Sequence, residues 1–459
     1  MGVAASLFYS SNNTEKQTLL RRCMPSDEQY DEQKDRWNAL ADHLTADLND
    51  RSGYSLRTWL QGSYKFGTQV RPVHKDEEFD IDLGVYFQWT GKPEDGRHSP
   101  QTLKSFVQDS LKAYEKGDTE DVKEICPTKT RCCRISYRNG FHIDVAAYHL
   151  DANRDARTLA TSDVWETSDP KAIYIWFRDQ FDDAARHKVR RQIRYFKTWA
   201  ALKFKWDEGR PSSIMLTVLV AEAAAAIGAT NLGADDETLL HLIDAIISRL
   251  NKSAEVCNPV AKSENLNRLS AEQNTAFADR LKTFQDVALR ANAGTTEFEA
   301  ADVWQEAFEH MFPMPDLTET IAKDANNQPV AVIGPEIRVT ARSRTNSDVR
   351  PFVGTNSIGP IPKDCTITFE VTNTSAMPAG SVILWMVRNE GREAELVNDL
   401  GHSTKSGATA EEHSAYKGTH YMDCVVKVAG RTVAMRRVPV TITGATMPLR
   451  TPPRKLRRL

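Results

Sequence analysis

The chain has 459 residues, about three times the ordinary domain length, so two or three domains with cores of their own are expected. Its 59 basic and 62 acidic side chains leave a formal charge of -3, which excludes capture of nucleic acid by a strong basic field; affinity for polyanions has to be local. Seven cysteines, odd in number and without a C-x-x-C pair, fit a reducing, cytoplasmic compartment as structural thiols. A zinc knuckle at Cys126, Cys132 and Cys133 lacks a suitably spaced fourth ligand.

The opening "MGVAAS" matches the short pattern for acylation at Gly2, and no basic segment with an apolar run behind it announces a secretory leader. Residues 27–50 place Tyr30, Trp37, Leu40, Leu44 and Leu48 at helical spacing, which predicts an amphipathic helix. "RTWLQ" reads as a strand running into a Gly62-Ser63 turn. In "FDIDLGVYF" the period of two puts Asp80 and Asp82 on one face and Ile81 and Leu83 on the other. "CCRISYRNGFHIDVAAYHL" reads as a hairpin turning at Asn139-Gly140, a pair favoured where both central residues need positive φ, with Asp144 in its second arm.

From about 166 to 312 the pattern is helical, and Arg190, Arg194 and Lys197 form a basic stripe beside an apolar one. The apolar run 214–229 is too short for a bilayer and reads as a buried helix, so no membrane association is expected. Pro313 and Pro315 mark a boundary. After 330, short β-branched runs separated by Gly, Pro, Asn and Ser predict a β-sandwich, and the basic, proline-containing segment 448–459 reads as a disordered tail.

Aspartates at i and i+2 on a strand lie about 6.5 to 7 Å apart, within reach of one divalent ion, and an acid from a neighbouring strand completes such a site. Two ions there activate a hydroxyl and stabilise a leaving pyrophosphate. The Gly62-Ser63 turn offers backbone N–H groups and a hydroxyl to a phosphate. Alone, D-x-D is common on surface strands; its place 17 residues after Gly62-Ser63 and ahead of Asp144 is far more specific.

With these residues the chain resembles the polymerase-β-type nucleotidyltransferases. Through "GSYKFGT" and "FDIDLGVYF" it is similar to the bacterial cGAS/DncV-like nucleotidyltransferases (CD-NTases, SMODS type) over about residues 25 to 310. The resemblance implies an α+β fold: a polymerase-β-like nucleotidyltransferase sheet in residues 1–165, and a helical lobe completing the nucleotide site in 166–315. It implies two Mg²⁺ ions, replaceable by Mn²⁺, on Asp80, Asp82 and Asp144, with triphosphate contacts from Gly62, Ser63 and Lys197 and from Ser212 or Ser213. Through "ILWMVRNEGREA" and "YKGTHYMDCVV" residues 330–447 resemble the adenylyl/guanylyl and SMODS C-terminal sensor (AGS-C) domain, in which Trp385, Arg388, His420 and Tyr421 are candidates to clamp a nucleotide.

The implied activity is condensation of ATP, GTP or other nucleoside triphosphates into a cyclic di- or trinucleotide second messenger for CBASS anti-phage defence, read by a responsive effector protein. Attachment of such synthases to a partner through a small C-terminal residue is not expected for a chain ending in Leu459. Nucleic acid is not expected as a substrate. The rival readings are an RNA 3′-end or linear oligonucleotide polymerase, favoured only by the tail and the 186–205 basic stripe, and a catalytically silent sensor, disfavoured by the three acids.

Overall fold

Alternation along Phe79–Gln88 sends Phe79, Ile81, Leu83, Val85 and Phe87 to one face, and in the computed structural model they line the main core. The structure describes residues 2–11, 17–74, 77–117, 120–205, 209–228, 231–315, 322–323, 329–330 and 334–446. The segment 448–459, read as a tail, lies outside them. The chain divides into two compact units, Met1–Thr296 and Glu297–Leu459. No described helix is long and apolar enough to cross a membrane.

The first unit opens with α1 (Ala5–Phe8), α2 (Leu19–Cys23) and α3 (Asp27–Ser52). Ser26 and Gln29 cap α3 reciprocally at its start, and its Leu40, Leu44 and Leu48 are fully buried while Tyr30 stays exposed. Seven strands follow: β1 (Ser55–Gln61), β2 (Phe79–Gln88), β3 (Val122–Ile125), β4 (Cys133–Tyr137), β5 (Phe141–Asp151), β6 (Ala156–Ala160) and β7 (Trp165–Thr167). A one-turn helix, α4 (Gly62–Phe66), interrupts β1 and β2, and α5 (Pro100–Gly117) comes before β3. The sheet runs β1-β2-β5-β4-β3, with β6 on β5 and β7 on β6, and only β2 and β5 pair in parallel. One face is covered by Leu40, Leu44 and Leu48 of α3 and by Leu103, Val107 and Leu111 of α5. The other carries Asp80, Asp82, His142 and Asp144.

The hairpin forms by a different turn from the one expected. Tyr137 pairs with Phe141, leaving a three-residue loop in which only Gly140 has positive φ, at 79°, so Asn139 keeps an ordinary conformation. Helices α6 (Pro170–Asp179), α7 (Asp183–Lys203), α8 (Ser213–Ile227), α9 (Asp235–Leu250) and α10 (Ala271–Asn292) complete the unit, with a small hairpin of β8 (Cys257–Asn258) and β9 (Ala261–Asn265) between the last two. The apolar α8 is buried continuously from Met215 to Ala221.

The second unit begins with α11 (Glu297–Phe308) and the two-residue strands β10 (Ala322–Lys323) and β11 (Pro329–Val330). Its sandwich comprises β12 (Ile337–Ser343), β13 (Phe352–Thr355), β14 (Ile358–Lys363), β15 (Cys365–Val371), β16 (Val382–Arg388), β17 (Gly401–Ser403), β18 (Thr409–His413), β19 (Gly418–Val428) and β20 (Arg431–Thr446). These form two sheets, β13-β12-β15-β18 and β14-β20-β19-β16-β17. Val339 and Phe369 from the first share a core with Trp385, Cys424 and Val438 from the second.

The four candidates for a nucleotide clamp in this unit all make contacts within it. Trp385 is buried and its Nε1 donates to Gly407 O at 2.8 Å. His420 is buried, its Nε2 2.8 Å from Tyr416 O, and the Tyr421 ring lies 5.3 Å from the Arg437 guanidinium. Arg388 is buried against Asp423 at 2.6 Å and donates to His310 O, Phe312 O and Gln305 Oε1. Asp423, fully buried, also accepts from Arg437 at 2.9 Å. Asp423→Asn removes the counter-charge of two guanidiniums, one of them fully buried. It should destabilise this unit by about 3–5 kcal/mol, read as a lowered calorimetric transition.

Candidate active site

The parallel pairing of β2 and β5 sets Asp80 beside His142 and Asp82 beside Asp144. Because each strand alternates, all four side chains leave the sheet on the face opposite the core. His142 Nε2 lies 3.0 Å from Asp80 Oδ1, and ligand atoms of Asp80, His142 and Asp144 all fall within 4.8 Å of one another. Asp82 turns toward the start of α4, where a Cβ on Gly62 would sit 1.8 Å from its Oδ2. Gly62 also has φ +56°. Glycine is thus required twice over, by backbone conformation and by the carboxylate against it.

His142 was not among the residues singled out from sequence. Its signal was available, since in "FHIDV" it stands two residues before Asp144 and on the same face. Gln61 was missed too: buried at the end of β1, its Nε2 donates to Tyr86 Oη at 2.8 Å and its Oε1 accepts from Tyr148 Oη at 3.2 Å. These bonds fix the strand end from which Gly62 and Ser63 depart.

The charges are unevenly balanced. Asp144 takes a two-pronged bond from Arg134 of β4, at 2.6 and 2.8 Å, and Lys129 stands 3.5 Å away. Burial works to raise its pKa, but Arg134 and Lys129 prevail and hold it below the ordinary carboxylate value. Asp82 has no such partner. Burial first, then the charges of Asp80 and Asp144, push its pKa well above the usual range, outweighing Arg134 and Lys197. Excess negative charge on oxygen donors, part-buried and convergent, suits a hard divalent cation.

The basic stripe of α7 does not form a platform for RNA. Arg190 Nε donates to Phe66 O at 2.8 Å, Arg194 Nε to Gln69 O at 3.2 Å, and Lys197 Nζ to Thr68 Oγ1 at 3.1 Å. All three grip the end of α4 and the loop that follows it. Lys197 is thus anchored at Thr68, and burial, aided by Arg194 and opposed by Asp82 and Asp80, pulls its pKa down to about 7. Ser63 is part-buried in α4, where its carbonyl accepts from Thr68 N. Ser212 caps α8, its Oγ accepting from Met215 N at 3.3 Å, and Ser213 is exposed in the first turn.

Residues 56–148 match the family model of the cyclic GMP-AMP synthase DncV-like nucleotidyltransferase domain, and residues 304–443 that of the adenylyl/guanylyl and SMODS C-terminal sensor domain. The chain carries a DncV-like nucleotidyltransferase domain and an AGS-C sensor domain. It is an enzyme of the nucleotidyltransferase class. A protein of Escherichia albertii named cyclic GMP-AMP synthase is 28% identical over 449 residues, covering 96% of each chain. A c-di-GMP synthase of Roseivirga ehrenbergii is 26% identical over 51% of this chain and 68% of its own. The crystal structure of Vibrio cholerae DncV cyclic AMP-GMP synthase shares the fold, with a TM-score of 0.56 at 19% identity over 68% of this chain and 97% of that one. The acidic face lies within the matched nucleotidyltransferase domain.

An unfolded lysine keeps its proton to about pH 10.4, whereas Lys197 in the fold releases it near 7. Between these values the unfolded chain holds more protons, so stability of the ligand-free protein rises with pH across that window. Lys197→Met should flatten the rise and shift the urea midpoint upward near neutral pH. The same variant should weaken triphosphate binding by about tenfold, measured calorimetrically.

Proposed function

We propose that the chain condenses nucleoside triphosphates, ATP and GTP among them, into a cyclic di- or trinucleotide, releasing pyrophosphate. The observation that carries this reading is the register of β2 and β5, which sets Asp80, Asp82 and Asp144 together beside Gly62 and Ser63. The relative named cyclic GMP-AMP synthase, aligned over nearly the whole chain, supports cyclic product over linear polymer. The product would act as a second messenger in CBASS anti-phage defence, made in the cytoplasm and read by a responsive effector. The β-rich unit would act as the regulatory sensor.

Asp80, Asp82 and Asp144 would hold two Mg²⁺ ions, with Mn²⁺ as a substitute. Bound there, the ions would activate the attacking ribose hydroxyl and neutralise charge on the departing pyrophosphate. The residues of the chain do the rest by position. Gly62 and Ser63 offer N–H and O–H groups to the triphosphate, and Lys197, underprotonated when alone, gains a partner that favours its charged form. The ribose oxygen forms a bond to the α-phosphorus as the bond to the bridging α–β oxygen breaks, and a second such step closes the ring. Between steps the linear product has to turn so that its own 5′ triphosphate meets the donor side of the site.

Incubation of the full chain with labelled nucleotide pairs and Mg²⁺ or Mn²⁺ should give nuclease-mapped cyclic products; only linear ladders or elongated RNA would overturn the reading. Asp80→Asn/Asp82→Asn should abolish product and leave the melting temperature unchanged or raised, since two repelling charges are gone. Asp144→Asn should abolish product but also cost about 1–3 kcal/mol, because Arg134 loses its bidentate partner. Equal thermal behaviour of the two variants would contradict this division of roles.

A further inference from the structure

We propose that His142 is a nitrogen ligand of the divalent cation, oriented by Glu78, and that it biases the site toward Mn²⁺ over Mg²⁺. This rests on the reading above that a cation sits among the three aspartates. The His142 side chain is 9% exposed and lies between two carboxylates, with Nδ1 3.1 Å from Glu78 Oε2 and Nε2 3.0 Å from Asp80 Oδ1. A carboxylate can only accept, so Nδ1 carries a proton and donates it to Glu78. Lys123, 3.3 Å from the other oxygen of Glu78, steadies that acceptor.

In the neutral ring this tautomer leaves a lone pair on Nε2. The atom is buried and, despite its closeness to Asp80, makes no aligned hydrogen bond. Two electron-rich atoms at 3.0 Å with no proton directed between them repel, and a shared cation turns the repulsion into attraction. Their separation is also right: neighbouring ligands at about 2.1 Å from an octahedral ion stand about 3.0 Å apart. Asp144, on the same face and within 4.8 Å, supplies a third donor. Glu78, His142 and the ion would then form the carboxylate–histidine–metal chain that fixes tautomer and ring orientation at many metal centres. An imidazole nitrogen suits first-row transition ions better than Mg²⁺, which favours oxygen and sheds water reluctantly.

Pulsed electron paramagnetic resonance on the full chain loaded with Mn²⁺ tests this without relying on turnover. The unmodified protein should show coupling of the bound ion to a ring nitrogen, and His142→Gln should lose it. Glu78→Gln should weaken Mn²⁺ binding by about tenfold, with a smaller loss for Mg²⁺ measured by competition. Bound Mn²⁺ without nitrogen coupling, or coupling retained in His142→Gln, would overturn the assignment while leaving the cation in place. Mn²⁺ binding undiminished in Asp80→Asn/Asp82→Asn would instead overturn the cation reading itself. The signal from the unmodified chain decides the matter even where a His142 variant does not fold.

Discussion

The pairing of β2 with β5 is the constraint on which the rest of the site depends. A slip of one residue in either strand would send its acids into the core and its isoleucines to the open face. What prevents the slip is on the far side of the sheet, where Ile81 lies beside Ile143 and Leu83 beside Val145, all but dry. Apolar burial on one face thus holds like charges together on the other. The repulsion is tolerated because the two faces belong to the same two strands and cannot relax independently.

A second coupling runs from the helical part of the same unit to the end of α4 and the loop after it. Arg190, Arg194 and Lys197 stand one and two turns apart on α7, and each reaches the stretch from Phe66 to Gln69. A loop held by three cations through its carbonyls and a hydroxyl keeps its shape only while α7 stays in place. Arg194, whose burial lowers its pKa to about 10, shows how little of this stripe is left to solvent. Displacement of α7 would therefore alter the end of α4 and the loop after it before it altered the acids on the sheet.

Much of this was legible in the amino-acid order because strands declare themselves by a period of two. Asp80, Asp82 and Asp144 could be placed on one face, and the β-rich end recognised, from alternation alone. His142 obeys the same rule, but a histidine beside an aspartate carries no D-x-D pattern to draw attention to it. The direction of the α7 stripe was not legible. Helical spacing says that Arg190, Arg194 and Lys197 share a face, yet whether that face meets water or a neighbouring loop depends on contacts more than 120 residues distant in sequence. Trp385, Arg388, His420 and Tyr421 left two readings open for a related reason: aromatic and basic side chains on sandwich strands look alike whether they meet a ligand or each other.

The two units handle buried charge in opposite ways, and that difference bears on function more directly than resemblance does. Asp423 meets two guanidiniums, and Arg388 spends its remaining donors on His310, Phe312 and Gln305, so the cluster is internally complete. A group so satisfied has nothing left to offer a ligand. In the nucleotidyltransferase domain the balance stays open. Among the described residues Asp82 lacks a cationic partner in contact, Nε2 of His142 lacks an aligned hydrogen bond, and the buried Lys197 has Thr68 as its hydrogen-bond partner. Excess anion lies on the sheet and an under-protonated cation by the loop. A divalent ion bearing a triphosphate has the matching pattern, positive toward the acids and negative toward the lysine, so one such complex would relieve both deficits at once.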